Sequence, residues 1–413
     1  MASTTFLNIA GLVNTREQCT LLRGAELGKM PVLKDAYLVI EGDEIADFGS
    51  MSHYRHALSG DHIIDARSRF ILPAFCDSHT HLVFPASREG EFIDKIKGIS
   101  YAEIAARGGG ILNSAKGVEE LSEDQLFNQA WSRLEEISLQ GTGAVEIKSG
   151  YGLSVEGELK MLRVIKKLKE RSSLAIKATF LGAHAYPAIY RDDHRGYIDL
   201  LIREMLPVIA AESLADYIDV FCEKGFFSLE ETAEICRAGQ QYGLKPKLHA
   251  NQLNAFGAVE LGVKLNALSV DHLESMNEEA ITALSSSETI GTLLPTAAFF
   301  LNLPYPPARE LIQRGAALSL ASDYNPGSSP GGNMSFVISL ACIKMRMLPE
   351  EAINAATLNG AYAMEVADSL GSISKGKKAS IILTQPIPSL DYLPYRFSTS
   401  VIERTMIKGK WIS

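Results

Sequence analysis

The chain has 413 residues, of which 46% are hydrophobic and 22% charged, and its formal net charge is −9 at pH 7. That size holds one large domain and a smaller one with a sizeable buried core, while the acidic balance excludes the basic footprint that nucleic acid or an anionic membrane requires. The five cysteines (Cys19, Cys76, Cys222, Cys236 and Cys342) form no C-x-x-C pair, which excludes a zinc ribbon and a disulfide framework and makes a reducing compartment the expectation.

In chain order, the N-terminal stretch MASTTFLNIAGLVNTREQC lacks a basic start followed by an unbroken apolar run, and no later segment is apolar for long enough to span a bilayer. A cytoplasmic protein is expected. Within residues 1–70, DAYLVIEGDEIADFG alternates at period two around a Gly-Asp turn, which predicts a hairpin. The last forty residues repeat this style in KASIILTQ and SVIERTMIKGKWIS, so residues 1–70 and 369–413 are expected to share one small β-sandwich domain. Between them, short apolar runs alternate with amphipathic helices. One helix is expected over about 154–171, with Ser154 as its cap, Glu156 and Glu158 in the first turn and Lys166, Lys167, Lys169 and Arg171 near its end. The runs FILPAFCDSH, GAVEIKSG, AIKATFLGAH, YIDVFCE, KPKLHAN, ALSVDHLE, TIGTLLPT and ALSLASDYN are eight strand candidates, and eight βα units over 71–368 predict a TIM-like (β/α)8 barrel. An open doubly wound sheet would place a Gly-rich turn after the first strand, which FCDSHTHLVF lacks. The RGGGI run at Arg107–Ile111 comes too late for that role and reads as a loop.

Of the nine histidines, His79, His81, His184, His249 and His272 fall at or just past strand ends, the face on which barrel active sites are built. Side chains alternate along a strand, so both imidazoles of the H-x-H pair His79 and His81 point one way and can reach one ion. His249 adds a third nitrogen and Asp323, in LASDYNPG, a hard oxygen. Three neutral imidazoles and a carboxylate suit zinc or iron with a position left for water. Any one of these histidines alone would be an ordinary core or surface residue, as His53, His56, His62 and His194 in polar stretches are expected to be. Together they make a site.

The H-x-H after the first strand, the histidines after strands five and six and the aspartate after strand eight resemble the amidohydrolase superfamily. Within it, SREGEFIDKIKGISYAEIAARGGGI, EIKSGYGL, FLGAHAYP, DVFCEKGFFS, LSVDHLE and SDYNPGSSP resemble a ring-opening branch that acts in histidine degradation. The resemblance implies that water opens the lactam of 4-imidazolone-5-propanoate to give N-formimidoyl-L-glutamate. It implies one divalent or trivalent metal ion per subunit, zinc or iron, held by His79, His81, His249 and Asp323, in a homodimer or a monomer. A second, bridged ion would require a carboxylated lysine at strand four, where FCEKG offers only Lys224, slightly late. The propionate needs a cation, and Arg88 offers a planar fork for a carboxylate. Tyr151 and His184 match the family's substrate contacts, and Asn325, the backbone of Gly327 and Ser328 match its substrate and product contacts.

The departure lies in KLHANQLNA, where the family commonly has His-Ala-Asp-Glu and this chain has Asn251 and Gln252. An amide can donate to and accept from the N–C–N edge of the ring but cannot carry a proton. The expected proton carrier is therefore Asp323, with His272 hydrogen-bonding the lactam oxygen or the attacking water. Two alternatives stand beside this reading: a hydrolase of another cyclic amide or amidine, and a barrel that binds its ligand without turnover, which Gln252 would suit.

Overall fold

The computed structural model describes residues 3–55, 62–99, 103 and 109–412. The period-two segments near the start form β1 (Ser3–Val13), β2 (Val32–Glu41), β3 (Glu44–Ser50), β4 (His62–Asp65) and β5 (Phe70–Pro73). The expected hairpin is β2 with β3, paired down to Glu41 against Glu44 around Gly42-Asp43.

The middle of the chain forms β6 (Phe75–Thr80), β7 (Thr142–Lys148), β8 (Ala175–Ala183), β9 (Tyr217–Cys222), β10 (Lys245–Ala250), β11 (Ser269–His272), β12 (Ile290–Leu293) and β13 (Leu318–Leu320), paired in chain order as one eight-stranded sheet. The Asp323 amide donates to the His79 carbonyl at 3.0 Å and the His81 amide to the Tyr324 carbonyl at 2.9 Å, which joins the last strand to the first and closes the barrel. After it, β14 (Ile381–Thr384), β15 (Ile402–Ile407) and β16 (Lys410–Trp411) return to the first sheet, where β14 pairs antiparallel with β5. Phe6, Ile9, Leu12, Leu38, Ile71, Ile381 and Met406 from both chain ends make that sheet's separate core.

Two expectations change. The run FILPAFCDSH is two strands, because the Ala74 amide bonds to Ser380 of the terminal sheet at 3.0 Å while the next amide, of Phe75, bonds to Gly141 at the foot of the barrel at 2.9 Å. The terminal sheet therefore extends to Pro73. The expected helix is Val155–Arg171, and the Ser154 side chain caps it by accepting from the Gly157 amide, but Glu158 is no solvated first-turn charge. It is fully buried and accepts from the amides of Gly150, Gly152 and Leu153 at 2.7 to 3.2 Å. Of the RGGGI run, Arg107 and Gly108 lie outside the described residues. The Gly110 amide is committed to Glu91 at 2.9 Å, at the start of the helix Ile111–Glu120.

The barrel strands are apolar towards the helices and charged towards the axis. Val145, Ile147, Ile218, Val220, Leu248 and Val270 pack into the main core, whereas their neighbours Glu146, Lys148, Asp219, Lys247 and Asp271 are buried and meet one another inside the barrel.

Candidate metal centre and active site

Alternation on β6 turns His79 and His81 to the barrel mouth, while Thr80 between them donates to the Glu146 carbonyl at 2.6 Å. His79 Nδ1 lies 2.6 Å from Asp271 Oδ2, and His249 Nδ1 lies 2.9 Å from Asp219 Oδ2, with the His249 amide also bonded to Asp219 at 3.0 Å. A ring nitrogen facing a carboxylate carries the proton, so each Nε2 keeps its lone pair. These lone pairs converge. His249 Nε2 is 3.3 Å from His81 Nε2, and Asp323 Oδ1 is 3.5 Å from the Nε2 atoms of both His79 and His81. Burial first, then nearby positive groups such as Lys148, holds His79, His81 and His249 well below the usual histidine range.

His79 Nε2 is buried without a hydrogen-bond partner, an arrangement that costs free energy unless something accepts the lone pair. The donor atoms of His79, His81 and His249, and those of His79, His272 and Asp323, lie within 4.8 Å of one another in each group. Neutral nitrogens with a carboxylate oxygen at this spacing fit a transition-metal ion.

Burial raises the Asp323 carboxyl to about 6 against the pull of His272, Asn325 and Ser328. His272 is lowered by burial, but Glu274, 3.4 Å from its Nδ1, together with Asp323 and Asp271, turns the net shift upward. Both residues sit in the left-handed region, with φ of 85° at His272 and 53° at Asp323, which side chains rarely adopt and functional sites often hold.

These groups open into a cavity of about 570 Å³ lined by His81, Tyr151, His184, Gln252, Asp323 and Ser328 among others. Glu158, clamping the loop amides, positions Tyr151; a Cβ at Gly152 would lie 2.2 Å from the Glu158 nitrogen, so only glycine allows this closeness. His184 donates from Nδ1 to the Gly150 carbonyl at 3.0 Å and stacks on His81 at 5.2 Å between ring centroids. Across the cavity, the Arg88 Nε and Nη1 atoms are buried without a hydrogen-bond partner, with Glu91 no closer than 3.8 Å. The guanidinium lies against Gly327, where an added Cβ would come within 1.3 Å of Nη2. Lys95 donates to the Gly327 carbonyl at 3.0 Å.

The loop after β13 is organised from within: Asn325 Oδ1 accepts from the amides of Gly327 and Ser328 at 2.8 Å, and Ser328 Oγ donates to Asp323 Oδ2 at 3.1 Å. Asn325 Nδ2 donates to the Asp323 carbonyl and to Ser328 Oγ, so its amide is engaged inside the loop. Gln252 borders the cavity, and among the described residues none hydrogen-bonds its side-chain amide. Its loop is held by Glu223, which accepts from the amides of Leu253 and Asn254 at 2.8 and 3.3 Å. Lys224 is exposed, as are His53, His62 and His194, and His56 lies outside the described residues. Sequence reasoning missed Glu146, Lys148, Asp219, Lys247 and Asp271, although ionisable residues two apart in EIK and KLH, within apolar strands, carry the signal for Glu146, Lys148 and Lys247.

A closed parallel barrel with converging histidines and an aspartate at its strand ends defines a metal-dependent amidohydrolase, and the model of the amidohydrolase family matches residues 227–412. The chain is 57% identical over 406 residues to the imidazolonepropionase of Flavobacterium johnsoniae, covering 98% of each, and 42% identical to that of Clostridium tetani, covering 93% of this chain and 92% of the relative. It belongs to the imidazolonepropionase family. Among solved structures, E. coli guanine deaminase superposes with a TM-score of 0.73 at 16% identity over 100% of this chain and 99% of its own, and an adenosine deaminase from Xanthomonas campestris with bound zinc superposes at 0.70 and 14%, over 99% and 92%. At such identities the likeness concerns the fold. Among the described residues, no helix is long and apolar enough to cross a membrane.

Proposed function

We infer that the chain hydrolyses the lactam C–N bond of 4-imidazolone-5-propanoate to N-formimidoyl-L-glutamate, with one zinc or iron ion held by His79, His81, His249 and Asp323. The observation that carries this reading is a cavity lined at one end by His81, His249, His272 and Asp323 and at the other by Arg88, whose Nε and Nη1 have no hydrogen-bond partner among the described residues and whose Nε lies 3.8 Å from Glu91. A ring that bears a carbonyl and, on a short arm, a carboxylate matches both ends. When bound to these four residues, the ion would supply Lewis acidity and, were it zinc, would lower the pKa of water to about 7.

Arg88 pairs with the propionate and fixes the distance of the ring from the floor. Tyr151 and His184 bound the ring on one side, and the Gln252 amide meets its N–C–N edge. Asp323, raised towards neutrality, takes a proton as water adds to the carbonyl carbon and returns it to the ring nitrogen as the C–N bond breaks. His272, which its acidic neighbours keep prone to protonation, donates to the carbonyl oxygen as negative charge gathers there. The substrate is a small anion, and the acidic chain offers it Arg88 and Lys95 as local cations. A chelator is expected to abolish turnover, and zinc or ferrous ion to restore it; full activity of protein shown by elemental analysis to be metal-free would overturn the reading.

A further inference from the structure

Directly beneath the histidines lies a layer of charge that no step of the reaction uses. Lys148 Nζ is 2.6 Å from Glu146 Oε1, 2.8 Å from Asp219 Oδ2 and 3.6 Å from Asp271 Oδ2, and all four side chains are fully buried. The same two oxygens that face Lys148, Asp219 Oδ2 and Asp271 Oδ2, accept from His249 Nδ1 and His79 Nδ1. We infer that Lys148 is a positioning residue for the metal centre, one ammonium that ties Asp219 to Asp271 and through them sets the separation and orientation of the His249 and His79 imidazoles. This inference rests on the metal reading above and goes beyond it in assigning the device that builds the site.

Stability alone does not explain the layer, because well-packed apolar residues commonly replace buried ion pairs at no loss. Nor does any lysine suffice. Lys247 also contacts Glu146, but its other partners among the described residues are the carbonyls of Ser78 and Ala363 and the Tyr217 ring, and no ion pair joins it to either aspartate. The chain of contacts from one imidazole to the other runs through Lys148. Without it, Asp219 and Asp271 would face each other as two negative groups in a dry interior; the His249 amide and the Ser269 hydroxyl would still hold their Oδ1 atoms, but among the described residues no cation would draw their two Oδ2 atoms towards one point. The imidazoles bonded to them would follow their rotation.

The test is zinc retention by the full chain, read as the rate of transfer to a chromophoric chelator, together with the visible spectrum of the cobalt(II)-loaded protein. Lys148→Met removes the tie but leaves an unbalanced buried charge, so a second variant, Lys148→Met with Glu146→Gln, keeps the net charge of the layer and both aspartates. Glu146→Gln alone is the control that keeps the tie. The expected result is zinc loss about 10- to 100-fold faster in the double variant, on the scale of other changes behind metal ligands, with a shifted cobalt spectrum. Glu146→Gln should stay within about threefold of the parent. Zinc retention and a cobalt spectrum like the parent's in the double variant overturn the inference, and so does equal acceleration in the double variant and the control. A parent chain that takes up neither zinc nor cobalt would instead overturn the proposed function.

Discussion

The two halves of the cavity are built in opposite ways. On the metal side, His79 and His249 lie in barrel strands and His81 one residue past β6, and the proton-bearing nitrogens of His79 and His249 are held from below by a buried carboxylate. On the substrate side, Arg88 and Gln252 come from segments after strands, and Arg88 Nε and Nη1 have no hydrogen-bond partner among the described residues, Glu91 lying 3.8 Å from Nε. The difference teaches which groups wait for what. The strand-built half is organised before any ligand arrives, which suits an ion that demands fixed geometry. The loop-built half keeps donors without hydrogen bonds, which are costly when buried and which, on the proposed function, would gain partners when substrate enters.

The sharpest way to break this contrast is Asp323→Asn, because Asp323 belongs to the organised half yet is the residue proposed to carry the proton. It should lower kcat by about 10² to 10⁴, once zinc occupancy equal to the parent's has been measured; a kcat within tenfold would move proton transfer elsewhere. Next is Arg88→Met, which acts on the waiting half alone. It should raise KM by roughly 30- to 700-fold, about 2 to 4 kcal/mol for a desolvated charge pair, with zinc content unchanged. An unaltered KM would place the propionate elsewhere. Gly327→Ala sharpens the same point without touching a charge. Its Cβ would collide only with the movable Arg88 head, so the melting temperature should hold while KM rises about tenfold, near 1.4 kcal/mol.

The smallest effects are expected at Gln252. Gln252→Ala removes neutral hydrogen bonds worth about 0.5 to 1.5 kcal/mol each, so kcat/KM should fall by roughly tenfold at most for each bond lost. Gln252→Glu should bring no large gain if Asp323 is the proton carrier, as proposed. If Gln252→Glu instead raised kcat a hundredfold from near nothing, the native chain would be a binding barrel rather than an enzyme.

Much of the fold and of the candidate site was legible from residue order alone. Period-two segments at both ends, eight strand runs with helices between them, and histidines at strand ends are local patterns, and local patterns survive in one dimension. The strands are short and hydrogen-bond their neighbours in chain order, so counting them was enough to indicate a barrel. What residue order could not decide was which partner each group meets. The FILPAFCDSH run reads as one strand, yet Ala74 and Phe75 bond to different sheets, because pairing depends on segments more than sixty and three hundred residues away. Glu158 reads as a helix-start charge, yet it is buried among the amides of the loop that carries Tyr151. Lys148 reads as one charge in an apolar strand, and only closure of the barrel brings it between Asp219 and Asp271. Residue types set what chemistry is available, since imidazole, carboxylate and guanidinium are properties of single side chains. Protonation state, tautomer and the direction of each lone pair depend on burial and on neighbours from distant strands, and those exist only once the chain has closed on itself.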